Sequence, residues 1–132
     1  MLVKHLLSRK EKGVLTIRPN MSVQNAARLM GKNNIGVLVI SGSDRRPDGI
    51  LSERDIVRGI SKRGPDFLRS KAGDVCVQKV SCCTPGDDLH RVMQTMNKLG
   101  IRHMPVTANG ILVAVISLTD ILENHIMRRE LV

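Results

Sequence analysis

The stretch Gly49-Ile50-Leu51-Ser52-Glu53-Arg54-Asp55 returns 65 residues later as Ala114-Val115-Ile116-Ser117-Leu118-Thr119-Asp120. In both places a small residue and two aliphatics lead into a serine, with an aspartate three positions on. That order is expected where a strand ends and a helix begins. Upstream, the helix after Pro19 spaces Val23, Ala26, Ala27 and Met30 by three and four, and the helix after Pro85 repeats this 66 residues on with Leu89, Val92, Met93 and Met96. An apolar strand follows each helix, at 36–40 and 103–106, then a segment rich in turn residues, at 41–48 and 107–110.

Each copy therefore reads as strand, helix, strand, strand, helix, and the chain divides into an N-terminal helix or linker over 1–13, repeat 1 over 14–62, a connector over 63–79 and repeat 2 over 80–132 with its C-terminal helix. In the N-terminal segment, Leu2, Val3, Leu6 and Leu7 are expected to cover one edge. Roughly 60 residues hide too little apolar surface to stand alone. The expected fold is thus α/β, with the two repeats packed about a pseudo-twofold axis.

Composition narrows the function classes. The chain has 132 residues, 42% hydrophobic and 25% charged, which excludes disorder, and its longest aliphatic runs fall far short of a membrane span. The three cysteines, Cys76, Cys82 and Cys83, lack metal-ligand spacing and read as buried thiols of a reducing, cytoplasmic protein. The basic opening reads as a structural helix rather than a targeting segment. His5, His90 and His125 read as surface residues, and Met30, Met93, Met96 and Met104 as packing. No nucleophile, base and acid constellation and no glycine-rich phosphate loop is visible, so an enzyme is not expected.

These repeated phrases, together with Gly100-Ile101-Arg102-His103-Met104-Pro105-Val106, resemble a tandem pair of CBS domains, also called a Bateman module. The resemblance implies a stand-alone, non-catalytic regulatory pair that binds an adenosine nucleotide in a cleft between repeats: AMP, ADP or ATP, or else NAD(H) or S-adenosylmethionine. It also implies signal transduction or energy sensing, a homodimer and a separate target protein. No cofactor is required; the nucleotide is the regulatory ligand.

The chemistry of the serine–aspartate pairs agrees with this. A helix start after a strand offers unpaired amides and the positive end of the dipole, an anion site, while an aspartate in the first turn can accept both hydroxyls of a ribose diol. The same pattern also satisfies a capping box, in which both side chains merely serve the helix.

By matching position, the favoured site takes Asp120 and Ser117 for ribose, Thr119 near the sugar-phosphate, Val115 against the base and Arg102 and His103 toward phosphate, with Ile35 and Gly36 closing from repeat 1. The second site takes Asp55, Ser52, Ile50 and Arg54, with Gly36 and Val37 in the places of the basic pair and Ile101 crossing from repeat 2. Ala114 stands where a glycine is usual, and its methyl is expected to crowd that site. Without Trp or Tyr, and with Phe67 in the connector, adenine is expected between aliphatic side chains.

A net charge of +9, from 21 Lys and Arg against 12 Asp and Glu, keeps a nucleic-acid-binding protein as the rival class. Missing aromatic platforms and the scatter of charge, from Lys4, Arg9, Lys10 and Lys12 to Arg45, Arg46, Lys62 and Arg63, speak against it. A structural dimer with vestigial clefts is the third reading. The apolar stripe Ile121, Leu122, Ile126 and Leu131, beside Arg128 and Arg129, is expected to pack on repeat 1 or to form the dimer seam.

Overall fold

The structure, a computed structural model, describes residues 1–7, 15–43 and 45–130, with side chains to Asn124. Arg9, Lys10, Lys12, His125, Ile126, Arg128, Arg129 and Leu131 lie outside the described side chains. The elements in order are α1 (Val3–Leu7), β1 (Thr16–Ile17), α2 (Val23–Asn33), β2 (Val37–Ile40), β3 (Gly49–Ser52), α3 (Glu53–Arg63), a 3-10 helix (Gly64–Arg69), α4 (Ala72–Val75), α5 (Leu89–Leu99), β4 (His103–Ala108), β5 (Ile111–Ser117) and α6 (Leu118–Glu130). They form two compact units, Leu15–Val80 and Met1–Val14 with Ser81–Val132.

The two copies use the same local devices. Ser22 caps α2 by accepting from the Asn25 amide at 3.1 Å, and Asp88 caps α5 by accepting from the Arg91 amide at 3.1 Å. Both helices end on a left-handed residue, Asn34 (φ 52°) and Gly100 (φ 67°), whose amides return to the carbonyls of Met30 and Gly31, and of Met96 and Asn97. The expected apolar faces are the ones buried: Val23, Ala26 and Met30 in one, Leu89, Val92 and Met96 in the other.

The hairpins share a register. Val37 to Ile40 pair with Ser52 to Gly49, and His103 to Val106 pair with Ser117 to Ala114. Beyond these pairs the first copy opens into a loop, whereas the second continues through Thr107–Leu112 and Ala108–Ile111, with a register shift at Val106/Thr107 that leaves Val113 extra. The turn is therefore only Asn109-Gly110, both at positive φ, rather than the whole of 107–110. An Asn-Gly pair suits the two-residue turn whose twist matches its strands. This arm is one residue shorter than the loop, which is why the offset between copies falls from 66 to 65.

In the first unit β1 pairs parallel to β2, giving the order β1-β2-β3. The corresponding opening strand of the second copy shrinks to a single parallel bridge, Cys83 to Val106. A turn follows at once: the Asp87 amide donates to the Thr84 carbonyl at 3.1 Å, and the Thr84 amide to the Asp87 carboxylate at 2.8 Å.

A further correspondence escaped the sequence reading. The amides of Ala72 and Gly73 donate to the carbonyls of Met21 and Pro19 (2.8 and 2.9 Å), and those of Val3 and Lys4 donate to Asp87 and Pro85 (both 2.9 Å). The amides of Val23 and Leu89 likewise donate to Ser70 and Met1. Hence α4 does for repeat 1 what α1 does for repeat 2, with Ala72 and Val3 both fully buried. Repeat 1 is completed by the helix that follows it, and repeat 2 by the helix that precedes repeat 1.

Each unit has its own apolar cluster. One gathers Ile17, Val23, Met30, Leu38, Leu51, Ile56, Phe67 and Ala72, and the other Val3, Leu6, Leu89, Met96, Met104, Ile116 and Ile121. Aliphatic residues and methionine fill most of both, as the composition requires, but Phe67, expected only in the connector, is buried in the first. One helix position is under-filled: a Cβ built on Gly31, in the last turn of α2, meets nothing within 4 Å. Gly31→Ala is accordingly expected to stabilise the protein by up to about 1 kcal/mol, read as a higher urea midpoint with unchanged slope.

Candidate functional site

In both repeats the strand runs into a capped helix, and the cap is the serine–aspartate pair. The Ser52 amide and hydroxyl each donate to Asp55 Oδ2 at 2.9 Å, and the Asp55 amide donates to Ser52 Oγ at 3.1 Å. The Ser117 amide donates to Asp120 Oδ2 at 2.9 Å, and the Asp120 amide to Ser117 Oγ at 3.0 Å. Both are closed capping boxes. The first helical amide is also taken: Glu53 donates to the Gly36 carbonyl at 2.9 Å and Leu118 to the Arg102 carbonyl at 2.8 Å.

This corrects the expected open anion site. Two of the first three helical amides are satisfied within the fold, and those of Arg54 and Thr119 are left without a partner among the described residues. The cap bonds fall on Oδ2 in both repeats.

The same geometry brings the remaining positions to these corners. His103 stands opposite Ser117 across the hairpin, half-buried, with exposed Arg102 and Thr119 beside it and half-buried Val115 two residues before the serine. Val37 stands opposite Ser52, with Gly36, Ile50 and exposed Arg54 around it. Ile35 and Gly36, assigned to the Asp120 site, and Ile101, assigned to the Asp55 site, belong each to the other unit. There Ile35 and Ile101 occupy equivalent places, their amides donating to Met30 and Met96 at 3.0 Å.

The family model for the CBS domain matches twice, over residues 3–62 and 72–130. The chain belongs to the CBS-domain family. A solved CBS-domain containing protein from Agrobacterium tumefaciens superposes with a TM-score of 0.89 at 30% identity, covering 95% of this chain and 99% of that one. The mitochondrial CBS domain-containing protein CBSX3 of Arabidopsis thaliana is 32% identical over 116 residues, 83% of this chain and 56% of its own length. A CBS domain pair solved with 5′-methylthioadenosine and S-adenosyl-L-methionine superposes with a TM-score of 0.85 at 22% identity, covering 97% of this chain and 98% of that one. The chain spans between 40% and 65% of the first three curated relatives it matches.

Within this CBS pair, the glycine question resolves differently from the expectation. A Cβ on Gly49 would lie 2.5 Å from Cys76 Sγ and 3.3 Å from the Val77 carbonyl, because the residues after α4 run along β3 and Ile50 and Val77 exchange two 3.0 Å hydrogen bonds. The glycine makes room for the chain itself. Ala114, its counterpart, is 7% exposed and packs its methyl into the core of its unit. Gly49→Ala should cost about 1–3 kcal/mol, and less in a Cys76→Ala background. Urea unfolding of the four proteins in that double-mutant cycle measures the difference.

The thiols are not uniformly buried: Cys83 is buried, Cys76 half-buried and Cys82 exposed. Burial, aided by the Asp87 carboxylate, pushes the Cys83 thiol up to about 12 from 9.0. The unfolded chain loses this proton first, so the associated stability is complete below pH 9 and is lost as pH rises toward 12. Cys83→Ala should flatten that alkaline decline in urea midpoints. His5 and His90 are exposed, as read from the sequence, and no helix among the described residues is long and apolar enough to cross a membrane.

Repeat 1 also holds a groove absent from the sequence reading. About 410 Å³ in volume, it lies between α2 and α3 and includes Ile35 and Gly36 in its lining. Glu53 reaches over the strand entrance there, and a Cβ on Gly36 would stand 3.0 Å from its carboxylate.

Proposed function

We propose that this CBS pair is a non-catalytic sensor of an adenosine nucleotide, with Asp120 and Ser117 at the ribose, Thr119 at the sugar-phosphate, Val115 at the base and Arg102 and His103 at the phosphates. The observation that carries the reading is the doubled corner, in which a carboxylate in the first helical turn pairs with a serine that, in repeat 2 alone, stands across the hairpin from a histidine preceded by an arginine. Asp55, Ser52, Arg54 and Ile50 form a second, weaker corner without that pair. AMP, ADP, ATP, NAD(H) and S-adenosylmethionine share the ribose and adenine contacts, so the group on the ribose 5′ carbon, a phosphate chain or a sulfonium, discriminates among them at Arg102. The signal passes to a separate partner, and the chain acts as a homodimer with α6 in the seam. Ile121 is buried within its unit while Leu122 is 45% exposed, so Leu122 is the side chain offered to the second copy.

The closed capping boxes favour a second reading, in which both aspartates serve only the helices and the clefts are vestigial. A thermal-shift titration with these ligands and GTP at fixed ionic strength, beside a short oligonucleotide, separates the two. A ligand at about 100 times its Kd adds roughly 2.7 kcal/mol. Selective stabilisation by adenosine ligands is expected. No shift with any nucleotide leaves the scaffold, and a shift with the oligonucleotide alone leaves a nucleic-acid binder.

A further inference from the structure

The hairpins of the two copies turn differently, and the tight turn of repeat 2 carries chemistry of its own. Asn109-Gly110 is the one Asn-Gly pair in the chain; Asn20, Asn25, Asn33, Asn34, Asn97 and Asn124 precede Met, Ala, Asn, Ile, Lys and His. The amide carbon of an asparagine is an electrophile within reach of the backbone nitrogen that follows it. Glycine presents that nitrogen with no side chain beside it.

Two asparagines hold the left-handed conformation, Asn34 at φ 52° and Asn109 at φ 55°. After Asn34 the next nitrogen is spent, since the Ile35 amide donates to the Met30 carbonyl at 3.0 Å. The amides after Asn20, Asn25 and Asn33 likewise donate to Arg18, Ser22 and Gly31, and Lys98 and His125 lie inside α5 and α6. Gly110 differs on each count. Its amide stands outside the Thr107–Leu112 and Ala108–Ile111 pairs and has no acceptor among the described residues, and both turn residues are exposed.

Little restrains this turn. Past the register shift the arm holds by those two residue pairs, Ile111 and Val113 are 44% and 46% exposed, and between Thr107 and Val113 only Leu112 is buried. Fraying at such a tip lets Asn109 leave the left-handed region and bring its amide carbon to the Gly110 nitrogen.

We propose that Asn109 is a self-modification site, at which the chain deamidates at a rate governed by the opening of this hairpin. The Gly110 nitrogen gives up its proton and bonds to Asn109 Cγ, the Cγ–Nδ2 bond breaks, and Nδ2 leaves as ammonia with that proton. The cyclic imide then takes up a water. Opening at Cγ yields aspartate, and opening at the main-chain carbonyl yields isoaspartate, whose backbone runs through the former side chain. Either product puts a carboxylate in place of a neutral amide and lowers the net charge of +9 by one. Aspartate suits the turn as well as asparagine does, because both tolerate the left-handed region and Asp-Gly serves the same hairpin. Isoaspartate lengthens the backbone between Ala108 and Ile111 by one carbon, so the pairs of the arm lose register and Leu112 its buried place.

Peptide mapping of the full chain aged at mildly alkaline pH tests the site. Trypsin releases Asn109 in the peptide His103–Arg128, and fragment ions distinguish it from Asn124. Conversion at Asn109 should outpace that at every other asparagine by at least about tenfold, and it should quicken with pH because the attacking nitrogen must lose its proton. Conversion no faster than at Asn34 or Asn97 overturns the proposal. Ageing in urea should speed the reaction further, and equal rates in the folded and unfolded chain remove the control by the hairpin. Asn109→Gly, which keeps the left-handed turn and lacks the amide, should age without charge loss at this peptide. Charge loss that persists in it overturns the assignment to Asn109. Ion exchange then isolates the aged forms for urea unfolding. The aspartate form and Asn109→Asp should share the midpoint of the parent, and the isoaspartate form should fall below it. An isoaspartate form as stable as the parent overturns the effect on the arm.

Discussion

Phe67→Ala is expected to lower the unfolding free energy by about 3–5 kcal/mol, the usual cost of emptying a buried aromatic site. Phe67 is 5% exposed and belongs to the apolar cluster of the first unit. Its ring lies against Gly59 so closely that a Cβ there would stand 2.2 to 2.4 Å from three ring carbons. The backbone of α3 thus forms one wall of the site and cannot collapse into the space the ring vacates. The Arg63 guanidinium, 5.5 Å from the ring centroid, adds up to about 1 kcal/mol, so Arg63→Ala should cost far less. Urea unfolding of Phe67→Ala, Phe67→Leu and Arg63→Ala measures the series. A loss below about 1 kcal/mol in Phe67→Ala would show that α3 and the 3-10 helix are held together by something else.

Asp120→Ala is expected to weaken nucleotide binding about 100-fold, the equivalent of about 2.7 kcal/mol, or two charge-assisted hydrogen bonds at the low end of their range. The same change opens the capping box and should cost about 1 kcal/mol of stability by itself. Asp120→Asn separates the two effects, since its amide oxygen keeps an acceptor for the Ser117 amide while the charge is lost. Asp55→Ala opens the equivalent cap of repeat 1. Its effect on binding should be smaller, because Gly36 and Val37 stand where repeat 2 has Arg102 and His103. Calorimetric titration beside thermal unfolding reads both quantities. An Asp120→Ala protein that melts earlier but binds like the parent makes the carboxylate a cap alone, and a larger binding loss in Asp55→Ala reverses the order of the sites.

Much of the fold was legible because its signals are local. The apolar faces of α2 and α5, the caps Ser52 and Ser117 with their aspartates, and the hairpins before them are set by residues within a few positions of one another, and repetition at an offset of 66, then 65, made each signal visible twice. Candidate site residues were read mostly from their places beside those caps, whereas Ile35, Gly36 and Ile101 were drawn from the other repeat by the resemblance. Whether an aspartate in such a motif faces a ligand or its own helix was not legible, since both roles need the same residues at the same spacing.

The sequence by itself thus determined two CBS repeats, their helices and hairpins, and the two serine–aspartate corners. Only the tertiary structure decided that α1 completes repeat 2 while α4 completes repeat 1, that Gly49 yields to Cys76 rather than to a ligand, that Phe67 fills the space under Gly59, and that the first helical amides are already spent on Gly36 and Arg102. Each of these joins residues with no periodic relation along the chain. Their partners are chosen by packing and by the need to satisfy every buried backbone group, conditions that only the assembled fold imposes.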